Sequence, residues 1–244
     1  MSNLRIAMFL VGILLPALAF SIGPYKVGDQ LTVHAGSGLI LRASASPTGT
    51  KVATLNYGTV VTVLADKQPK MPHRVVFFKG YTVKGYWVKV RAERNQEGYV
   101  FDGFLSAYQT PSMLPNGDDP NDPEGTMSLQ ERYILLHSTK KGAAIDLEKF
   151  ETTYQHYKQL YANGDAVEVF TGEGGSEYVI RFHKGVTLEE GYLIGKSLWM
   201  EMSDTVFTST YAKGGVVLSS TDGMFEVEVR AKIGITEVFM RHAD

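Results

Sequence analysis

Apolar side chains between residues 30 and 105 recur at every second position in short runs. Leu31 and Val33 form one such pair, and Leu39 and Leu41 a second. Thr59-Val60-Val61-Thr62-Val63-Leu64 is a β-branched stretch with too little helix propensity to be anything but a strand. Trp87-Val88-Lys89-Val90 and Tyr99-Val100-Phe101 read the same way. Gly36, Gly38, the Ser46-Pro47-Thr48-Gly49 cluster, Gly58, Gly98 and Gly103 punctuate these runs as turn residues do. Short strands in close succession, without a helical period among them, predict a small β-barrel.

The period changes after residue 127. Ser128 and Glu131 stand at capping-box spacing before Tyr133-Ile134-Leu135, predicting a helix start. Asp146 is placed to cap a second helix, with Leu147, Phe150, Tyr154, Tyr157 and Tyr161 along one face and Gly164 beyond its end. Ala166 to Phe170 and Glu177 to His183 read as strands joined through Gly172-Glu173-Gly174-Gly175. Thr187 and Glu190 form another capping box for a helix running toward Leu198. The remainder predicts a meander over Thr205–Ala212, Val216–Ser220, Met224–Arg230 and Ile235–Arg241, with Asp222-Gly223 as a hairpin turn. Helices followed by antiparallel strands predict an α+β domain, with helices packed on the sheet. The chain shows no internal repeat.

Composition divides the chain further. Thr110 to Met127 holds Pro111, Pro115, Pro120 and Pro123 together with Asp118, Asp119, Asp122 and Glu124, and has almost no apolar residue. Such a stretch has too little to bury to offset its ordering entropy, so 110–127 is predicted to be an acidic linker. On either side the charge reverses. Between Phe20 and Tyr108 eleven Lys and Arg stand against five Asp and Glu, and from Gln109 onward twelve stand against twenty-one. Opposite signs on two halves argue for two domains with different partners or with affinity for each other. The expected organisation is a barrel at 25–109, the linker, and the α+β domain at 128–244.

The first residues belong to a different class. Arg5 precedes an apolar run from Ile6 to Leu15, Pro16 breaks it, and Ala17-Leu18-Ala19 has the small–x–small pattern read by a signal peptidase. The run is shorter than a bilayer span. Residues 1–19 are therefore expected to be a cleaved secretory signal, placing the protein in the periplasm, at the cell envelope or outside the cell, with no stable membrane insertion after cleavage. The 244 residues contain no cysteine, which excludes disulfides, thiolate metal sites and a cysteine nucleophile.

Several spaced elements of the first half resemble the bacterial SH3 (SH3b) domain. These are Leu39 to Arg42, the Pro47 to Gly49 turn, the Gly58 to Val63 strand, Trp87 to Val90, and Gly98 to Leu105. The departure is a long connection between Leu64 and Tyr86 carrying Lys67, Lys70, Arg74, Lys79 and Lys84. The resemblance implies an SH3-like barrel acting as an extracytoplasmic adaptor for a cell-wall peptide, an anionic wall component or a partner protein. The companion cysteine peptidase that often accompanies such modules is excluded by composition. Residues 109–244 resemble no known family.

Strand alternation supplies candidate ligand contacts of its own. Val88 and Val90 point to one face, so Trp87 and Lys89 share the other. An aromatic beside a cation suits a peptide or glycan bearing carboxylates. Arg42 and Tyr99 complete the candidate set, Arg42 either touching a ligand or bracing its own turn. Against this stands burial of Trp87 under the long connection, and a core role for Tyr99 and Phe101.

Other chemistry is weaker. The basic run from Lys67 to Arg94 is read as a solvated face or a surface for an anionic polymer, not a nucleic-acid site, because its aromatics do not interleave as in known modules. The six histidines, at 34, 73, 137, 156, 183 and 242, show no metal-ligand spacing. Gly172-Glu173-Gly174-Gly175 lacks the Lys-Ser/Thr of a phosphate loop, and the acidic linker does not match a calcium loop. No metal, cofactor or catalytic residue is expected. The rival is an enzyme drawing on Glu173, Glu177, Arg181, His183 and Glu190. A third reading makes the barrel a structural domain docked on the acidic half.

Overall fold

The computed structural model describes residues 25–65, 68–78, 81–111, 125–148, 154–183, 186–200, 207–212, 215–220, 223–232 and 234–243. The expected signal segment and most of the expected linker lie outside them.

The first half is an antiparallel sheet of eight strands. These are β1 (Gln30–Val33), β2 (Leu39–Arg42), β3 (Lys51–Leu55), β4 (Val60–Val63), β5 (Gln68–Phe78), β6 (Tyr81–Arg91), β7 (Glu97–Phe101) and β8 (Leu105–Ser106). The hydrogen-bonded path runs β3-β2-β7-β6-β4-β1-β8, with β5 paired to β6 off that path. Leu31, Val33, Leu41, Val61, Val63, Val88, Val90, Val100 and Leu105 are each at most 1% exposed and point into one core. They are the alternate positions of their strands, which is what a period of two requires when one face is buried.

The long connection between Leu64 and Tyr86 is not a loop. It is a hairpin, in which β5 and the first half of β6 pair antiparallel, Arg74 facing Lys84 and Val75 facing Val83. Pro69 and Pro72 lie in β5, whose only named partner is β6, and an edge strand tolerates proline. Between β6 and β7 a 3-10 turn at Glu93–Asn95 places Arg94 and Asn95 in the left-handed region.

The second half is also one antiparallel sheet of eight strands, in the order β13-β14-β15-β16-β12-β11-β10-β9. Its strands are β9 (Ile145–Glu148), β10 (Gln155–Leu160), β11 (Ala166–Gly172), β12 (Gly175–Phe182), β13 (Phe207–Ala212), β14 (Gly215–Ser220), β15 (Phe225–Lys232) and β16 (Ile235–Ala243). Among the described residues two helices accompany them, α1 (Leu129–Leu135) and α2 (Leu188–Met200). Both capping boxes are present. The Ser128 and Thr187 hydroxyls accept from the Glu131 and Glu190 N–H groups, and each glutamate accepts in return.

The helix expected from Asp146 to Tyr161 is a correction. That segment contributes β9 and β10, His156 pairing with both Glu148 and Phe170. Three of its stripe residues are tyrosines, which lose rotamer freedom in a helix and fit a pleated, half-buried surface. The half is consequently dominated by strands, and the expected layer of helices reduces to a short α1 and one longer helix on the sheet. α2 sits close to β15 and β16 because it carries glycine at 191 and 195. A Cβ at Gly191 would lie 2.9 Å from Val229 Cγ1, and one at Gly195 2.7 Å from Val238 Cγ1.

Val167, Val169, Ile180, Phe182, Val227, Val229, Val238 and Met240 form the buried face of this sheet. The opposite face is charged. Arg181 donates to Glu168 at 2.6 Å and to Glu237 at 3.0 Å, and Lys232 reaches Glu237 at 2.6 Å.

The halves meet through aromatic and polar side chains. Tyr108 packs edge-on against Phe182 and His137, with ring centres 4.9 and 4.7 Å away. The Tyr133 hydroxyl of α1 donates to the Gln109 carbonyl at 2.8 Å. Thr110, read as the start of the linker, is fully buried. Tyr133 is buried, and desolvation raises its pKa well above the ordinary tyrosine value.

Candidate functional site: a cleft on the outer face of the first sheet

Cross-strand register fixes one face of the first sheet. Trp87 faces Phe101, Lys89 faces Tyr99, and Tyr99 faces Arg42 on β2. Side chains directly opposite across an antiparallel pair share a face, so the four candidate residues share one with Phe101. Val88 and Val90, on the other face, are wholly buried.

The four do not play equal parts. Trp87 is 5% exposed. Gln68 of β5 pairs across from it, and the His73 ring lies 6.0 Å from it, so the hairpin covers the indole. Arg42 donates from Nη1 to the Gly49 carbonyl at 2.7 Å, closing its own turn. Lys89 and Arg91 both engage Glu97, at 3.4 and 2.9 Å. Hydrogen bonds from Arg91 first, and then from Lys89, hold the Glu97 carboxyl below the usual carboxylate range. Tyr99 is partly buried against the core.

Trp87 and Arg42 nevertheless border one feature, a cleft of about 750 Å³. Its aromatic wall is Trp87, Phe101 and Phe104, with ring centres 6.4 Å apart for the first pair and 5.6 Å for the second. The His73 ring meets Phe101 edge-on at 5.8 Å. Leu39, Ile40 and Val75 add aliphatic surface, and the Ala35 to Gly38 turn and Pro47 border the cleft. Gly38 has φ of +83°, and a Cβ there would lie 2.8 Å from Thr54 Cγ2 and 3.0 Å from the Leu55 carbonyl oxygen, so the turn needs glycine. Gly103 allows the wall to close, since a Cβ would lie 2.4 Å from the Phe101 ring. The remaining lining residue is Lys196, carried by α2 of the second half. Desolvation lowers its pKa from the usual lysine value.

Lys89 and Tyr99 are not among the lining residues. Sequence reasoning did not identify His73, Val75, Phe104 or Lys196. The first two lie in the hairpin read as a loop, although the alternation of Val75 and Val83 about the Lys79-Gly80 pair was a usable signal. Lys196 comes from the other half of the chain, and nothing local in sequence marks it.

The residues of the enzymatic rival are dispersed. Glu177 lines a separate hollow of about 270 Å³ beside Glu148, His156 and Glu168. Arg181 is held between Glu168 and Glu237, and Glu190 caps α2. The His183 side is exposed, while its N–H donates to Asp165 at 2.8 Å. No group of three or more His, Asp or Glu side chains is placed to hold a metal ion among the described residues, and no described helix is long and apolar enough to cross a membrane.

Comparison with curated proteins and with solved structures gives no match. A family model described as the bacterial SH3 domain matches residues 37–106, a span that runs from the glycine turn at the cleft's edge to β8, while the second half matches no family. The first sheet of this chain, with the cleft on its outer face, is therefore similar to a bacterial SH3 domain over residues 37–106.

Proposed function

We propose that the protein is an exported, non-enzymatic binding protein of the cell envelope whose SH3 domain takes a wall peptide into the cleft. The observation that carries this reading is the cleft itself. About 750 Å³, walled mostly by apolar and aromatic side chains with a few polar groups at its edge, is the size and character of a small-ligand or peptide site. Export is supported by the N-terminal sequence, where Arg5, the apolar run to Leu15 and Ala17-Leu18-Ala19 follow the secretory pattern.

The test is co-sedimentation of the full mature chain with purified cell-wall sacculi, for the wild type and for Ile40→Asp. Ile40 lines the cleft and is 37% exposed, so the substitution places a charge in the site without opening the core. Wild-type binding lost in the variant supports the reading, and equal binding by both overturns it.

A second reading is favoured by a separate observation. The SH3 domain is joined to the second sheet by the Tyr108–Asp165 hydrogen bond and by the Tyr108, Phe182 and His137 ring contacts. In that reading the domain is a structural support for the second half, whose charged sheet face meets a protein partner or an anionic polymer.

A further inference from the structure

The cleft is bordered by two cations and one imidazole. Its charged lining side chains are Arg42 and Lys196, and no Asp or Glu is among the described residues that border it. Both cations are already engaged within the chain, since Arg42 donates to the Gly49 carbonyl at 2.7 Å and Lys196 has an interaction partner of its own. His73 differs from them. Its ring lies 6.0 Å from that of Trp87 and 5.8 Å from that of Phe101, yet among the described residues its nitrogens make no hydrogen bond or ion pair. A half-buried imidazole thus lines the cleft with its hydrogen-bonding capacity unspent. We propose that ligand binding in the cleft is governed by pH through His73, the cleft taking an anionic ligand more tightly as this imidazole gains a proton. The inference rests on the peptide-binding reading above and adds to it the regulation of the site.

Three physical features support it. First, the β5–β6 hairpin holds the ring in place. His73 pairs across from Gly85, which offers no side chain of its own, and the imidazole lies against the aromatic wall instead. Second, the charges around the ring couple its proton to a ligand. Arg42 and Lys196 make the empty cleft positive, which opposes a further positive charge on the imidazole, and an anion in the cleft reverses that opposition. Arg74, the next residue of β5, alternates to the other face and lies across from Lys84. Binding and protonation therefore favour each other, as linkage requires of two events that each strengthen the other. Third, the wall beside the ring is Trp87, Phe101 and Phe104, which are buried and apolar, so a charge gained there is poorly screened by water.

Histidine is the side chain whose charge ordinarily changes between about pH 5 and 8, whereas arginine and a ligand carboxylate keep theirs across most of that interval. A preference for anions arising from Arg42 is the same at each pH. The change of affinity with pH, not the preference itself, is the signature of His73.

The experiment uses the full mature chain and one probe, the wall stem peptide alanyl-glutamyl-diaminopimelyl-alanine as the free acid. Calorimetry between pH 8 and pH 6, in buffers of different ionisation enthalpy, gives both the affinity and the protons taken up on binding. The proteins are the wild type, His73→Gln, which keeps hydrogen bonding without titrating, and His73→Phe, which keeps a ring against Trp87 and Phe101. Arg42 and Lys196 are present in all three, so whatever they contribute is common to the comparison. The wild type is expected to bind about threefold or more tightly at the lower pH, with net proton uptake. In H73Q and H73F the affinity should vary by less than about 1.5-fold over the same interval, without proton uptake. A wild-type affinity that does not change with pH overturns the proposal and leaves peptide binding standing. So does a slope that survives in either variant, which would place the titrating group elsewhere. Variants that bind at no pH also overturn it, because His73 then builds the cleft instead of tuning it. If the wild type binds the peptide at no pH, the peptide-binding reading falls and this one with it.

Discussion

The Tyr108 hydroxyl donates to Asp165 Oδ2 at 3.0 Å, tying the chain just past the SH3 domain to the corner between β10 and β11. The same carboxylate accepts from Asn163 Nδ2 at 2.7 Å and, through Oδ1, from the His183 N–H at 2.8 Å. Asp165 is 1% exposed, and removing it takes the acceptor from the Tyr108 hydroxyl, the Asn163 amide and the His183 N–H together. Asp165→Ala is expected to destabilise the protein by about 2–4 kcal/mol, while Tyr108→Phe, which removes one donor and keeps the ring, costs about 1 kcal/mol. Urea denaturation of the two variants checks both values. An Asp165→Ala protein as stable as the wild type would show that the two halves do not depend on this bond.

Two histidines near the same junction make stability depend on pH. His34 donates from Nε2 to the Tyr108 carbonyl at 2.9 Å, while its buried Nδ1 has no hydrogen-bond partner. Burial lowers its pKa to about 4, and burial together with the nearby His34 lowers that of His137 to about 4. The groups facing the pair are the Tyr57, Tyr108 and Tyr133 rings. Both folded values lie below the unfolded value of 6.5, so between pH 6.5 and about 4 the unfolded chain holds more protons. Stability is therefore full above pH 6.5 and falls as the solution is acidified toward pH 4. For His34 the loss amounts to about 3 kcal/mol across that window. Denaturation midpoints measured between pH 7.5 and 4.5 should decline, and His34→Gln, which keeps a donor but does not titrate, should flatten the decline. An unchanged slope in that variant would remove His34 as its source.

Much of the fold was legible because local and tertiary signals agree in it. The strand runs at 59–64, 87–90 and 99–101, the capping boxes at Ser128 and Thr187, and the closing meander are all set by short-range patterns. Where the pattern misled, two periods overlapped. Tyr154, Tyr157 and Tyr161 satisfy a helical stripe, yet Tyr157 lies on β10 with its hydroxyl bonded to Glu131 of α1 at 2.8 Å. Only the partner across the sheet decides between the two readings. The site was half legible for a similar reason. Alternation placed Trp87 and Lys89 on one face, but whether an outer face is open depends on what folds over it. β5 covers the indole, Glu97 engages Lys89, and the cleft opens beside them against a helix more than a hundred residues further along the chain.

Asp102 anchors the SH3 domain from the 3-10 turn Asp102–Phe104 that follows β7. It is fully buried, with Oδ2 accepting from the Tyr25 hydroxyl at 2.8 Å and Oδ1 from the Tyr86 N–H at 2.6 Å. The second bond holds β6 one residue before Trp87, so the turn and the cleft wall are linked. Asp102→Ala strands a backbone N–H and should cost about 2–3 kcal/mol, whereas Asp102→Asn retains an acceptor for Tyr86 and should cost less. Thermal denaturation that ranks the asparagine variant below the alanine variant would contradict this account.

Gly195 connects the packing of the second half to the site on the first. A Cβ there would lie 2.7 and 2.8 Å from the Val238 and Val227 methyl carbons, which belong to short, stiff side chains. Gly195→Ala gains about 1 kcal/mol of helix propensity but overpacks the interface at a cost of about 1–3 kcal/mol, so the net change should be destabilising. Lifting α2 from β15 and β16 relieves the clash, and it moves Lys196 at the border of the cleft with it. The variant should therefore unfold at a lower temperature than the wild type when followed by circular dichroism. A Gly195→Ala protein that is more stable than the wild type would mean that the helix seats less closely than the glycine contacts indicate.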